Sequence, residues 1–264
     1  ALRFITAMTS ASTPGSFRKV GVFSCAALVV ANMIGTGVFT SLGFQVGSLP
    51  SPFVLCVLWA VGGVVAFCGA LTYCELSAAL PRSGGEYNFL SAIYHPSLGF
   101  AAGFVSVAIG FSAPIALVAM ALGKYLSVVI PEVPPQVISY AAILGLAVVH
   151  AIAVHASGIF QIVVTTLKVG LILGFLALGF SKGNPAQANF LPGPDAVSLI
   201  FSPAFAVALM FVLYSYTGWN AVTYILGEVH NVPKTVPRAI LLATGFVAIL
   251  YVALNALFLQ SAPM

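Results

Sequence analysis

Charge is what this sequence has least of. Five of its 264 residues are Asp or Glu and nine are Lys or Arg, 5% in all, where a soluble domain carries roughly 25%. With 61% apolar residues, that shortage excludes a water-soluble domain and places the chain in a bilayer. No Cys or carboxylate stands at ligand spacing from a histidine, including His150 and His155, so no metal site is expected. A Walker loop, a zinc motif and a nucleophile elbow are all missing, and nothing in the chain supports an enzyme or a bound cofactor. The four cysteines, Cys25, Cys56, Cys68 and Cys74, fall inside apolar segments, so no disulfide is expected. The first apolar run carries no small-residue cleavage signal and is expected to stay as a span.

What the chain does have is long runs without charge. A helix needs about 20 apolar residues to cross a bilayer. By that measure there are seven spans, at about 18–47, 51–80, 97–125, 136–154, 159–180, 200–229 and 238–260. The run from 136 to Ser181 is too long for one span and is expected to turn at His155-Ala156-Ser157-Gly158. Residues 1–16, polar and rich in Ser and Thr, are expected to be disordered, with the transmembrane domain over 17–264. Basic residues set the orientation. With the N-terminus in the cytoplasm, Arg3, Arg18, Lys19, Arg82, Lys234 and Arg238 lie inside and only Lys124 and Lys182 outside. The net charge of +4 is then a consequence of topology and calls for no nucleic-acid partner. Prolines punctuate the pattern: Pro50 and Pro52 open span two, Pro96 precedes span three, and Pro233 and Pro237 are placed in the inner loop after span six. Pro114 and Pro203 lie within or at the start of spans, where kinks are tolerated.

The first span is interrupted at its centre by Asn32-Met33-Ile34-Gly35-Thr36-Gly37-Val38-Phe39. A helix in lipid must satisfy its own backbone groups, so an interruption at membrane depth needs a reason. An outer half-helix starting near Thr36-Gly37 offers free N–H groups at a positive dipole end, which suits a carboxylate. An inner half ending near Met33-Ile34 offers free carbonyls, which suit an ammonium. One ligand carrying both groups a few ångströms apart is an α-amino acid. Two glycines admitting a neighbouring helix would produce the same local sequence. What favours a site is a second break in the sixth span, Tyr214-Ser215-Tyr216-Thr217-Gly218-Trp219-Asn220. Five spans, an odd number, begin between the two breaks, so a repeated unit would be inverted, and paired interruptions in two such halves point to a transporter's central site. The substrate-binding candidates are Met33, Ile34, Gly35, Thr36, Gly37, Tyr214, Ser215 and Thr217, with Tyr214 or Tyr216 as an aromatic gate. Trp219 reads equally as packing. A second repeat of five spans would need more chain than is present, so the sequence is expected to be a fragment of a longer transporter.

Lys168 is the most costly residue to insert, at about 2.5–3.5 kcal/mol for a lysine at the bilayer centre. It is expected to face the bundle interior, either as a proton carrier, since burial disfavours its charged form, or as a fixed ammonium in place of a sodium ion. Glu75, Glu86 and Glu228, on the inner side near Arg18, Lys19, Arg82 and Arg238, could form a gate of ion pairs or simply be solvated termini.

These motifs resemble a known family. Asn32 to Phe39 is similar to the first-helix signature of the amino acid–polyamine–organocation superfamily. Glu75-Leu76 and Pro81-Arg82-Ser83-Gly84-Gly85-Glu86-Tyr87 resemble its second helix and following loop. Tyr216-Thr217-Gly218-Trp219-Asn220, Gly227-Glu228-Val229 and Pro237-Arg238-Ala239-Ile240 resemble the sixth helix and loop of its L-type amino-acid transporter branch. The resemblance implies an all-α membrane protein with a leucine-transporter-like inverted repeat. Here that would be the first five-helix repeat and two helices of the second, with helices one and six discontinuous. It implies secondary transport of amino acids by alternating access, proton-coupled or by exchange, at the cytoplasmic membrane. It also implies that the Met33 carbonyl and the Thr36 and Gly37 amides hold the substrate backbone. Tyr214 would stand at a gating position where relatives place Phe or Trp, and Lys168 would match a fifth-helix lysine that replaces a sodium site. Two other readings stay open. A polyamine or other organocation carrier would need acids facing the site, and none is visible in the seven spans. A truncated, non-transporting membrane sensor or subunit is the other.

Overall fold

A computed structural model describes residues 20–152, 154–182 and 189–261. The expectations for residues 1–16, for the basic residues Arg3, Arg18 and Lys19, and for the side chains of His150, His155 and Lys182 lie outside the described residues. Among the described residues the chain is helical throughout, apart from one isolated bridge between Val20 and Val229. The first span consists of two helices, α1 (Val22–Met33) and α2 (Gly37–Val46). They are followed by α3 (Pro52–Ala79), α4 (Glu86–Ile93) and α5 (Pro96–Val105). A π-helical stretch, Ser106–Phe111, leads into α6 (Ser112–Val129). Then come α7 (Pro135–Ile152), α8 (Val154–Lys182), the short α9 (Ala196–Ile200) and α10 (Pro203–Ser215). A 3-10 segment, Ala221–Glu228, precedes α11 (Val232–Ser261).

Five described helices are long and apolar enough to cross a membrane: Val22–Val46, Pro52–Ala79, Pro96–Val129, Gln161–Ser181 and Val232–Ser261. Pro135–Val149 and Pro203–Ser215 are shorter apolar helices. The chain is a multi-pass membrane protein.

Three helices begin by the same device. Ser51, His95 and Ser202 each cap a helix whose first residue is proline, accepting a backbone N–H from Val54, Ser97 and Phe205. Proline costs nothing there, because its missing N–H would have had no helical partner. Pro114 is different. It lies inside the third span, where it has no N–H to give the carbonyl of Gly110, and the helix widens to π geometry just before it.

Two expectations are corrected. Residues His155-Ala156-Ser157-Gly158 do not turn; they are helical within α8. A single glycine is tolerated inside a helix held by its neighbours. Pro233 and Pro237 are not loop residues but belong to α11, which starts at Val232 rather than near residue 238. Pro233 sits in the first turn, and Pro237 withholds only the bond that the carbonyl of Pro233 would have received.

Packing divides the helices unequally. α3 and α11 lie along each other, and α1, α2 and α10 close around them; their buried residues include Val29, Leu55, Trp59, Val212, Val247 and Leu254. α4 packs on α5 and α6 on α7, and α8 reaches α1, α7 and α11. Large side chains on the α5–α7 surface, such as Phe100, Phe104 and Val128, remain exposed, as suits a surface bathed in lipid or covered by more protein.

Candidate functional site at two helix breaks

α1 ends at Met33 because Ile34 turns extended, with φ −77° and ψ 90°. The chain re-enters helix at Gly37 after Thr36. The N–H of Gly35 folds back to the Met33 carbonyl at 2.9 Å, and that of Phe39 bonds Thr36 at 3.1 Å. For the N–H groups of Thr36, Gly37 and Val38 no acceptor lies among the described residues. They form the positive end of α2.

The carbonyl side of this break is occupied by other side chains. The Lys168 ammonium, arriving from α8, donates to the carbonyls of Ile34 at 2.8 Å and Ala31 at 3.3 Å. The hydroxyl of Tyr251 on α11 donates to the Met33 carbonyl at 2.6 Å. Met33 thus accepts from both Gly35 and Tyr251. Tyr251 is itself fixed in an aromatic cluster, 5.7 Å from Trp59 and 5.0 Å from Tyr216 between ring centres.

The second break holds itself together. α10 stops at Ser215, and the next N–H groups turn back in tight bonds: Tyr216 to Val212 and Leu213, Thr217 to Tyr214, and Ala221 to Gly218. The Thr217 hydroxyl adds a 2.7 Å bond to the Tyr214 carbonyl. Gly218 has φ +109°, and a Cβ there would meet the Asn32 carbonyl at 2.7 Å. Only glycine lets the two breaks touch. A second close contact lies one turn away, where Gly37 faces Ser215, and Ser41 Oγ lies 3.2 Å from Ser215 Oγ.

Between the breaks lies a cavity of about 630 Å³. Met33, Gly35, Thr36, Gly37, Tyr214, Ser215 and Thr217 line it, together with Asn32, Gly218 and Asn220. The opposite wall comes from the third span, with Ser106 and Phe111 of the π stretch and Pro114. Three sequence candidates are not brought to it. Ile34 is buried, and its carbonyl belongs to Lys168. Lys168 stands behind α1. Tyr216, expected as a gate, is fully buried and points the other way, where its hydroxyl donates to the Trp59 carbonyl at 3.0 Å. It follows Ser215 by one residue, and one helical step of about 100° carries a side chain off the cavity face. Tyr214, half exposed, is the ring that remains at the cavity. Trp219 packs edge-on against Tyr73, 4.8 Å between ring centres, and closes over Gly69.

Among the cavity residues that were not sequence candidates for the site, one is an acid. Glu86, expected in an inner loop, begins α4 and reaches the cavity wall. Oε1 accepts from the Tyr73 hydroxyl at 2.9 Å and from the Asn220 amide at 2.6 Å, and Oε2 accepts from the Tyr224 hydroxyl. The ion-pair gate expected around Glu75, Glu86 and Glu228 is corrected for Glu86, whose partners are neutral; two of the basic residues named for it, Arg18 and Lys19, lie outside the described residues. Glu228 contributes its backbone carbonyl to the Val20 N–H at 2.8 Å. The absence of acids facing the site is corrected as well. The signal was present in Gly84-Gly85 immediately before Glu86. Gly85, at φ +53°, lets the chain turn under the 3-10 segment, its N–H bonding the Thr223 carbonyl at 3.2 Å.

Similarity to known proteins agrees with this architecture. The chain is 27% identical over 263 residues to mouse b(0,+)-type amino acid transporter 1, covering 95% of this chain and 53% of that protein. It is 30% identical to the human cystine/glutamate transporter over 247 residues, 90% of this chain and 49% of the relative. With the serine/threonine exchanger SteT of Bacillus subtilis (strain 168) it shares 28% identity over 247 residues, 91% of this chain and 54% of the relative. The chain spans about half the length of these curated relatives. The sequence profile of the amino acid permease family matches residues 20–264, and with its two broken helices meeting at one cavity the chain belongs to that family.

Proposed function

We propose that this chain carries the central half-site of a secondary transporter that moves amino acids across the cytoplasmic membrane by alternating access, with its N-terminus in the cytoplasm. The seven membrane segments are the first five-helix repeat and the first two helices of an inverted second one. The observation that carries the reading is the open N–H end of α2 facing a cavity shared by both breaks. The substrate carboxylate sits on the Thr36 and Gly37 amides. The ammonium needs other acceptors than the Met33 and Ile34 carbonyls, which Tyr251 and Lys168 engage. Asn32 and Ser215 line the cavity, and the Asn32 Oδ1 and the carbonyl end of α10 are acceptors for the ammonium there. Tyr214 covers the bound molecule.

Coupling is by protons or by exchange, and Lys168 is the coupling residue, because its ammonium ties α8 to the end of α1 and a change in its charge would release that end. Lys168→Ala is expected to abolish any pH-driven component of uptake, and unchanged pH-driven uptake would remove it from that role. The organocation-carrier reading gains a cavity carboxylate in Glu86, but three donors already engage that carboxylate, which leaves it a poor receptor for a cation.

The test of substrate class is competition. In proteoliposomes of the full-length protein, uptake of a radiolabelled neutral amino acid should be inhibited by other free amino acids. Their methyl esters and N-acetyl derivatives, each lacking one of the two charges, should fail to compete. Equal competition by all three forms would overturn the reading.

A further inference from the structure

We infer that Glu86 is the positioning residue that latches the cavity shut on the α4 side, by holding the 3-10 segment after the second break to α3 and α4. This rests on the transport reading above and adds to it the element that opens. The helices fall into two packed groups, α1, α2, α3, α10 and α11 on one side and α4 to α7 on the other. Glu86 stands at their junction. From the first group it receives Tyr73 of α3, and Asn220 and Tyr224 of the segment following α10. Its own helix, α4, is packed on α5 in the second group.

The bonds differ in kind from the other contacts at this end of the cavity. The Gly85 N–H to the Thr223 carbonyl and the Gly227 N–H to Ser83 Oγ at 2.8 Å are neutral and lie beside it. Hydrogen bonds to an ionised group are about twice as strong as neutral ones, so the carboxylate carries most of the tie. Two of its three donors, Asn220 and Tyr224, themselves line the cavity. The same bonds that join the groups therefore fix the wall a substrate would touch. Tyr224 is steadied further by Phe111, 5.1 Å between ring centres, and lies 3.4 Å from Ser106 Oγ. A substrate or a shift of the π stretch that moved Tyr224 would loosen the latch.

The experiment uses the full-length protein, with its native cysteines replaced and Ala113→Cys as a reporter inside the cavity, in sealed vesicles of known orientation. Labelling by a membrane-impermeant thiol reagent is measured from each side, alongside amino-acid uptake. With Glu86→Ala, labelling from the α4 side is expected to rise about tenfold, the loss of hydrogen bonds to a charged group. Apparent KM for uptake should rise with it. Tyr224→Phe keeps the ring against Phe111 and should reproduce a smaller part of the rise. Glu86→Gln, which keeps one acceptor oxygen, should rescue part of the closure. If Glu86→Ala fails to fold, Tyr224→Phe and Glu86→Gln carry the test. Unchanged labelling and unchanged KM in these variants, with wild-type uptake intact, would overturn the latch. A wild type that takes up no amino acid would instead overturn the transport reading.

Discussion

The two breaks solve one problem in two ways. Both leave backbone groups open at membrane depth, where no water can satisfy them. The first is held from behind: Lys168 from α8 and Tyr251 from α11 cap the carbonyls of Ala31, Ile34 and Met33. The second is wound into tight turns that use its own backbone and the Thr217 hydroxyl. A break capped by distant side chains is sensitive to single substitutions far away in the sequence. A self-bonded break is sensitive to its own glycine. The contrast also shows at the cavity: the first break leaves the N–H end of α2 open there, and the second places Tyr214 and Thr217 on its wall.

Lys168→Ala should break the comparison most strongly. Two carbonyls lose their donor, each worth about 1–3 kcal/mol when left unsatisfied. A fall of about 3 kcal/mol in stability is expected, read as a lower Tm of the purified full-length protein, with uptake nearly lost. Full stability would mean that the first break, too, can satisfy itself. Next is Gly218→Ala, which puts a Cβ into the Asn32 carbonyl at a φ of +109°. About 2 kcal/mol is expected from strain and overpacking, with loss of substrate protection at the cavity. Gly35→Ala, which meets nothing within 4 Å, is its control and should change stability by less than about 0.5 kcal/mol. Tyr251→Phe removes one hydroxyl from the Met33 carbonyl and should cost about 1 kcal/mol, measured by thermal unfolding. Apart from the Gly35 control, the smallest effect is expected for Ser41→Ala, which removes the 3.2 Å contact with Ser215 between the breaks, about 0.5 kcal/mol. An effect at Ser41 as large as at Lys168 would show that contact between the breaks, and not capping from behind, holds the first one.

Much of the cavity could be read directly from the residues. Gly35-Thr36-Gly37 and Thr217-Gly218 announce their interruptions because small and polar residues stand where apolar ones are required. Helix starts at Pro52, Pro96 and Pro203 are equally legible, since a proline after a capping residue has one comfortable place in a helix. The turn expected at 155–158 was not there, and α11 began earlier than its prolines suggested, because tertiary packing overrides weak local signals. Tyr214 and Tyr216 look interchangeable in sequence. Two residues apart on a helix, they face opposite ways, and only Tyr214 reaches the cavity.

Sequence alone determined that this chain lives in a bilayer and that two of its helices are broken. Those properties depend on composition and on local backbone rules, which act within a few residues. Which carbonyls are already engaged, which tyrosine faces the cavity, and that Glu86 meets Tyr73, Asn220 and Tyr224 were decided only by the tertiary structure. Each of those facts joins residues that are distant along the chain, from 13 positions for Tyr73 and Glu86 to 218 for Met33 and Tyr251. No local preference encodes such a meeting; it follows from how whole helices pack.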